Sequence, residues 1–192
     1  MLMFTPNNAI AYLWITFLLV WGIGAIRAKA TVKKQSALSR MEHSLPVAAS
    51  YLLIFDRGLW PHWLRQRFFP QSDTTLTWTG VLLTALGVGF AIWARTWIGR
   101  NWSGTITIKD RHELIQGGPY SIVRHPIYTG MFLGYLGTAL AFGEIRGLIG
   151  FPLLVLGFGM KLRMEETFMV QQFGSTYVDY KHRVKAVVPF LI

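Results

Sequence analysis

The chain has 192 residues, of which 52% are hydrophobic and only 15% charged, and its mean hydropathy is positive; that is too apolar for an ordinary soluble domain. Its net charge of +10 lies in loops between apolar runs rather than on a basic face interleaved with aromatics, which argues against a nucleic-acid partner. With no cysteine in the sequence, a disulfide framework, a thiolate metal site and a cysteine nucleophile are all excluded.

The first six residues lack the basic region of a cleavable signal peptide, so the apolar run that follows is expected to stay. Ala9 to Ile26 is uncharged and long enough to cross the ~30 Å hydrocarbon core as a helix. Arg27 to His43 is a basic loop. Ser44 to Phe55 is apolar but short, and its length alone would suit an interfacial helix. Charge distribution decides for a span. With five spans and the N-terminus outside, segments 27–40, 95–124 and 161–185 hold five basic residues each, against four outside, of 19 in all; this is the bias that places positive loops in the cytoplasm.

Pro61 to Asp73 reads as an outside connection at headgroup level. Leu76 to Ala94 is the third span, with Gly80, Gly87 and Gly89 allowing close helix approach. Arg95 to Arg124 is a long mixed segment in which Thr105-Ile106-Thr107-Ile108 alternates as a short extended piece would. Ile127 to Gly143 is the fourth span, and Gly147 to Met160, kinked at Pro152, the fifth. The two form a hairpin because only Glu144-Ile145-Arg146 joins them. From Lys161 onward the chain is amphipathic and cytoplasmic: Phe173, Tyr177, Tyr180 and Val184 share one face of a helix broken near Gly174. The fold class is therefore an all-α integral membrane protein of five transmembrane helices with C-terminal amphipathic helices.

Two clusters carry chemistry. In Gly117 to Gly130, Gly118-Pro119 sets a turn, and Pro126 at the first helical position leaves free N–H groups that attract carboxylate or phosphate, beside Arg124 and His125. The same residues also suit boundary anchoring, with Arg124 reaching headgroups, His125 capping and Tyr128 in an aromatic belt. In Lys161 to Glu166, adjacent carboxylates end an apolar helix and need water, a cation or a ligand; a solvated boundary helix is the alternative. The hairpin brings both clusters together.

Gly117-Gly118-Pro119-Tyr120, Arg124-His125-Pro126-Ile127-Tyr128-x-Gly130 and Lys161-x-Arg163-x-Glu165-Glu166, then Phe173-Gly174-x-x-Tyr177-x-x-Tyr180, resemble the isoprenylcysteine carboxyl methyltransferase family, whose wider group includes phospholipid methyltransferases. The resemblance runs from about Trp97 to Pro189 and takes in His112-Glu113-Leu114-Ile115. It implies one membrane domain, with three spans in 1–96 and a catalytic half in 97–192, that transfers a methyl group from S-adenosyl-L-methionine. On that likeness His112, Glu113, Leu114, Ile115, Tyr120, Arg124, His125, Pro126, Ile127, Tyr128 and Glu165 surround the cofactor. Lys161, Arg163 and Glu166 serve the acceptor, a lipophilic small molecule or lipid bearing a carboxylate or thiol. Lys161 stands where the family has a substrate-proximal arginine, so the charge is kept and the bidentate fork is lost. Two alternatives stay open: N-methylation of a phospholipid amine, for which Glu166 is the spare carboxylate, and a membrane reductase using NADPH. No metal is expected.

Overall fold

The computed structural model describes residues 4–26, 31–34, 37–56, 58–70, 72–102, 107–109 and 113–189. Among the described residues there are six α-helices: α1 (Pro6–Ile26), α2 (Ala37–Phe55), α3 (Thr74–Ile98), α4 (Pro126–Phe142), α5 (Ile145–Phe173) and α6 (Ser175–Arg183). Three of them, α1, α3 and α5, are long and apolar enough to cross a membrane among the described residues. The protein is thus a helical integral membrane protein, as its composition predicts.

Backbone hydrogen bonding does not stop where hydrophobicity does, and this separates the helices from the apolar runs. The short run at Ser44 becomes the 19-residue α2, because Ala37 to His43 continue the same helix. At 1.5 Å per residue α2 is about 28 Å long, but its added part carries Arg40, Glu42 and His43, and α2 is not among the helices apolar enough to cross. Likewise α5 has 29 residues and measures about 43 Å, beyond the ~30 Å hydrocarbon core. Its charged section from Lys161 onward projects past its apolar part. The helix runs on through Pro152.

The tightest contact is between α3 and α4. Gly80 and Gly87 lie against the backbone of Gly137, Ala141, Gly130 and Gly134, so closely that a Cβ on either glycine would overlap main-chain atoms. This is the small-residue packing that replaces hydrophobic driving force between helices in lipid. Gly89 does not take part: it sits two residues round the helix from Gly87 and has nothing within 4 Å of its Cβ position. Across the same seam Thr84 and Thr138 return their hydroxyls to Gly80 and Gly134 carbonyls at 2.9 and 2.8 Å. Trp14 of α1 donates Nε1–H to Thr138 Oγ1 at 3.0 Å. Behind this seam α1, α3 and α4 bury Ile10, Phe17 and Val88, while α2, α4 and α5 bury Ile54, Tyr135 and Leu154.

At one end of the bundle Gly143, in the left-handed conformation at φ 63°, turns α4 into α5. Arg67 and Glu144 pair as an isolated antiparallel bridge, which ties the connection after α2 to this turn. Arg146 is 1% exposed; it donates to Glu144 at 2.5 Å and to the carbonyls of Leu53 and Asp56 at 3.0 and 2.7 Å. These bonds satisfy carbonyls that the end of α2 leaves unpaired. At the other end a two-stranded antiparallel ribbon pairs β1 (Thr31–Lys34) with β2 (Thr107–Lys109), a small departure from a purely helical chain.

Candidate active site

The chain breaks between α5 and α6 at Gly174, φ 55° and ψ −132°, a conformation suited to glycine. The break folds α6 back toward the start of α4. Upstream of α4, Gly118 at φ 60° opens a 3₁₀ turn, Gly118–Ser121; a Cβ there would meet the Trp97 ring at van der Waals overlap. Pro126 then starts α4 with no side-chain cap from His125. The first N–H to bond back is that of Thr129, to the His125 carbonyl at 3.1 Å. Ile127 and Tyr128 therefore sit in the first turn, where helix geometry leaves amide donors without intrahelical partners.

A cavity of about 480 Å³ opens where these segments meet. Glu113, Leu114 and Ile115 line it, as do Tyr120, Arg124, His125, Pro126, Ile127 and Tyr128 from the stretch leading into α4, and Lys161 and Glu165 from α5. Arg163 is exposed on the outer face of α5, and Glu166 is buried behind the cavity wall. His112 lies outside the described residues.

Local sequence gave no sign of the remaining wall. Trp21 of α1 and Val47 of α2 reach the cavity, with Trp102 beyond α3 and Phe158, Phe168 and Met169 on α5. These are contacts between distant segments. The Arg95 guanidinium lies 4.2 Å from the Trp102 ring centre and donates to Gly99 O at 2.9 Å, which fixes that side of the wall. Tyr177 and Tyr180 of α6 complete it, and their shared helix face was the one available signal.

The polar groups form a connected set. Tyr128 donates its hydroxyl to Glu165 Oε1 at 2.7 Å. Lys161 Nζ lies 3.8 Å from the same oxygen, and His125 Nδ1 lies 3.7 Å from Oε2. The His125 ring stacks on Tyr128 at 5.6 Å with the planes 4° apart, and Tyr128 stacks in turn on Phe158 at 4.7 Å. Burial pushes the phenols of Tyr120 and Tyr177 up, and that of Tyr180 to about 12, so all three face the site as neutral hydroxyls. The cavity thus sets the Glu165 carboxylate among Tyr128, Lys161 and His125 beside a helix start, while Val47, Met131 and Phe158 add apolar lining.

Helices apolar enough to cross a membrane thus enclose a cavity whose lining mixes charged and apolar side chains, an arrangement that suits a membrane enzyme. The sequence profile of the phospholipid methyltransferase family matches residues 75–176. Protein-S-isoprenylcysteine O-methyltransferase B of Arabidopsis thaliana is 29% identical over 175 residues, covering 87% of this chain and 83% of its own. The Saccharomyces cerevisiae protein-S-isoprenylcysteine O-methyltransferase is 31% identical over 115 residues, 58% of this chain and 48% of its own. The solved eukaryotic intramembrane Ras methyltransferase, an isoprenylcysteine carboxyl methyltransferase, shares the fold with a TM-score of 0.61 at 22% identity; the match covers 83% of this chain and 55% of that one. The chain belongs to the phospholipid methyltransferase family, in its isoprenylcysteine carboxyl methyltransferase branch, and is a methyltransferase.

Proposed function

We propose that the protein methylates a carboxylate on a small lipophilic, isoprenylcysteine-like acceptor, with S-adenosyl-L-methionine as donor. The observation that carries this reading is the convergence on one cavity of Glu165, held by Tyr128, with Arg124, His125 and the uncapped start of α4. The amino-acid end of the donor is a zwitterion, and this set suits it: Glu165 and Glu113 for the ammonium, the amides of Ile127 and Tyr128 for the carboxylate, with the Arg124–Glu166 pair bracing the wall beside them. When bound, the donor supplies an electrophilic sulfonium methyl.

An acceptor carboxylate is ionised at neutral pH and needs no general base. The chain's contribution is then orientation and exclusion of water. Lys161, on the cavity wall and 5.7 Å from the Tyr128 ring centre, steers the anionic acceptor, and Val47, Met131 and Phe158 receive the start of its apolar chain. Arg163, on the outer face of α5, meets headgroups. The N-methylation alternative needs a spare carboxylate, and Glu166 is already bonded to Arg124 and Lys181, which disfavours it. The family model that matches the chain is of methyltransferases, which disfavours the NADPH alternative.

The architecture we infer has five spans with the N-terminus outside and the C-terminus cytoplasmic. The β1–β2 pairing puts the chain before α2 and after α3 on one side, so if α3 crosses, α2 crosses too. The Arg67–Glu144 bridge applies the same parity to α3 and α4, which makes α4 and α5 a transmembrane hairpin. Residues 97–192 supply most of the cavity within a single domain, 1–192, and α1 and α2 close it. Calorimetry of the detergent-solubilised protein tests the reading: S-adenosylmethionine binds the wild type and binds Glu165→Ala weakly. Transfer of a radiolabelled methyl to a prenylcysteine analogue, and not to phosphatidylethanolamine, fixes the acceptor; absence of cofactor binding by the wild type overturns it.

A further inference from the structure

Glu165 and Glu166 are neighbours in sequence but about 100° apart around a helix, and their surroundings differ entirely. Glu165 faces the cavity. Glu166 points away from it into a junction of three segments. Arg124 donates Nε–H and Nη2–H to Glu166 Oε1 at 2.8 and 2.5 Å. Lys181 of α6 meets Oε2 at 2.7 Å, and His125 Nε2 lies 3.4 Å from Oε1. The carboxylate is committed to these three side chains.

The same junction is stitched through the backbone. Arg124 N–H donates to Lys185 O at 2.8 Å and His125 N–H to Ala186 O at 2.9 Å. Arg124 Nη1 donates to Lys181 O at 3.2 Å and also to Val184 O. Thr129 Oγ1 donates to Val187 O at 2.7 Å, and Tyr180 donates its hydroxyl to Tyr120 O at 2.5 Å. Segment 184–187 is therefore a strap along the start of α4. The cavity wall made by α6 stands or falls with it.

We propose that Glu166 is a positioning residue, the anchor that holds Arg124 and His125 at the cavity wall and docks α6 with its strap over the donor's half of the site. The assignment rests on the methyl-transfer reading above. Buried charges in such a junction are held because each has its partner, and removing one leaves the others unpaired. Glu166 contacts Arg124, His125 and α6 but lines no part of the cavity, so its effect reaches donor binding through them. The acceptor's half, made by Val47, Met131, Phe158 and Lys161, has no bond to Glu166. Its loss therefore weakens the site selectively.

The test uses the full-length protein in nanodiscs, as wild type, Glu166→Gln and Lys181→Met. Lys181 is 37% exposed in its side chain, so the second variant keeps the test available should Glu166→Gln not fold. In both variants amide hydrogen exchange rises in 175–187 and stays unchanged in α3. Calorimetric affinity for S-adenosylmethionine falls on the order of tenfold in Glu166→Gln, the scale on which supporting groups act through those they orient, and less in Lys181→Met. The KM for donor rises while the KM for acceptor holds within about twofold. Unchanged exchange in 175–187, or an equal rise in both KM values, overturns the proposal. A wild type that binds no S-adenosylmethionine overturns the methyl-transfer reading instead, whereas a wild type and a Glu166→Gln variant that bind it equally well overturn only the role of Glu166.

Discussion

The hydroxyl of Tyr128 donates to the Glu165 carboxylate across 2.7 Å, joining the first turn of α4 to the part of α5 that projects past its apolar section. This one bond sets the distance between the helix start and the carboxylate that faces it. Tyr128→Phe keeps the stacking on His125 and Phe158 and removes only the bond. Hydrogen bonds to charged groups contribute about 1.5–3 kcal/mol, so kcat/KM for methyl transfer falls about 10- to 100-fold. Steady-state kinetics with a prenylcysteine analogue reads this, and an unchanged kcat/KM would show that the bond is incidental to catalysis.

Gly87→Ala and Gly89→Ala make a matched pair. The first drives a methyl into the backbone of Gly130 and Gly134; the second meets nothing within 4 Å. Overpacking costs about 1–3 kcal/mol, and here backbone must move. Thermal unfolding in detergent is expected to fall markedly for Gly87→Ala and to stay within a degree or two for Gly89→Ala, in keeping with the small effect of changes that touch nothing.

Arg146→Met removes the 2.5 Å ion pair to Glu144 and the donor to the carbonyls of Leu53 and Asp56. Breaking one side of a buried ion pair costs about 3–5 kcal/mol. Scanning calorimetry would register the loss.

The pair Trp14 and Thr138 offers a mutant cycle. Polar contacts between helices in membranes average about 0.6 kcal/mol, and Trp14→Phe with Thr138→Val should give a coupling of that order. Equilibrium unfolding in mixed micelles measures it, and a coupling near zero would mean the 3.0 Å bond is replaced in the unfolded state.

Acid separates Glu166 from other carboxylates. Burial alone would raise its carboxyl, but hydrogen bonds from His125, Lys181 and Arg124 hold it down at about 2. A depressed carboxyl stabilises the fold above its unfolded value and loses that effect as pH falls through the folded one. The stability gap between wild type and Glu166→Gln is therefore constant above about pH 5 and closes on acidification toward 2. Melting curves over that range would show it; a gap that does not change would place the junction's stability elsewhere.

The sequence made the helix positions legible wherever a physical signal was local. Leu76 to Ala94 falls within α3, Pro126 starts α4, and Gly174 ends α5. Hydropathy misjudged lengths at α2 and α5 because it registers solvent preference, while Ala37 to His43 and Lys161 to Phe173 stay helical outside the apolar zone. Gly89 was grouped with Gly80 and Gly87 by type, yet rotation about the helix places it outward. The cavity residues of 113–128 were legible because their motif is contiguous. Trp21 and Val47 were not, since they reach the cavity only through packing of α1 and α2 against distant segments. The two glutamates at 165 and 166 look interchangeable in one dimension, and only the azimuth around α5 tells them apart.

The clasp of Arg146 on the end of α2 spans 93 positions in the chain to Leu53. A ribosome extrudes α2 long before Arg146, and domains form in the order of synthesis. Until α5 arrives, the last carbonyls of α2 have no guanidinium to bond. That end of α2 therefore stays incomplete until the start of α5 is made. Biogenesis of this protein is retroactive at that point: a truncation before Arg146 removes the support of a helix translated a third of a minute or so earlier, at roughly 5 residues per second.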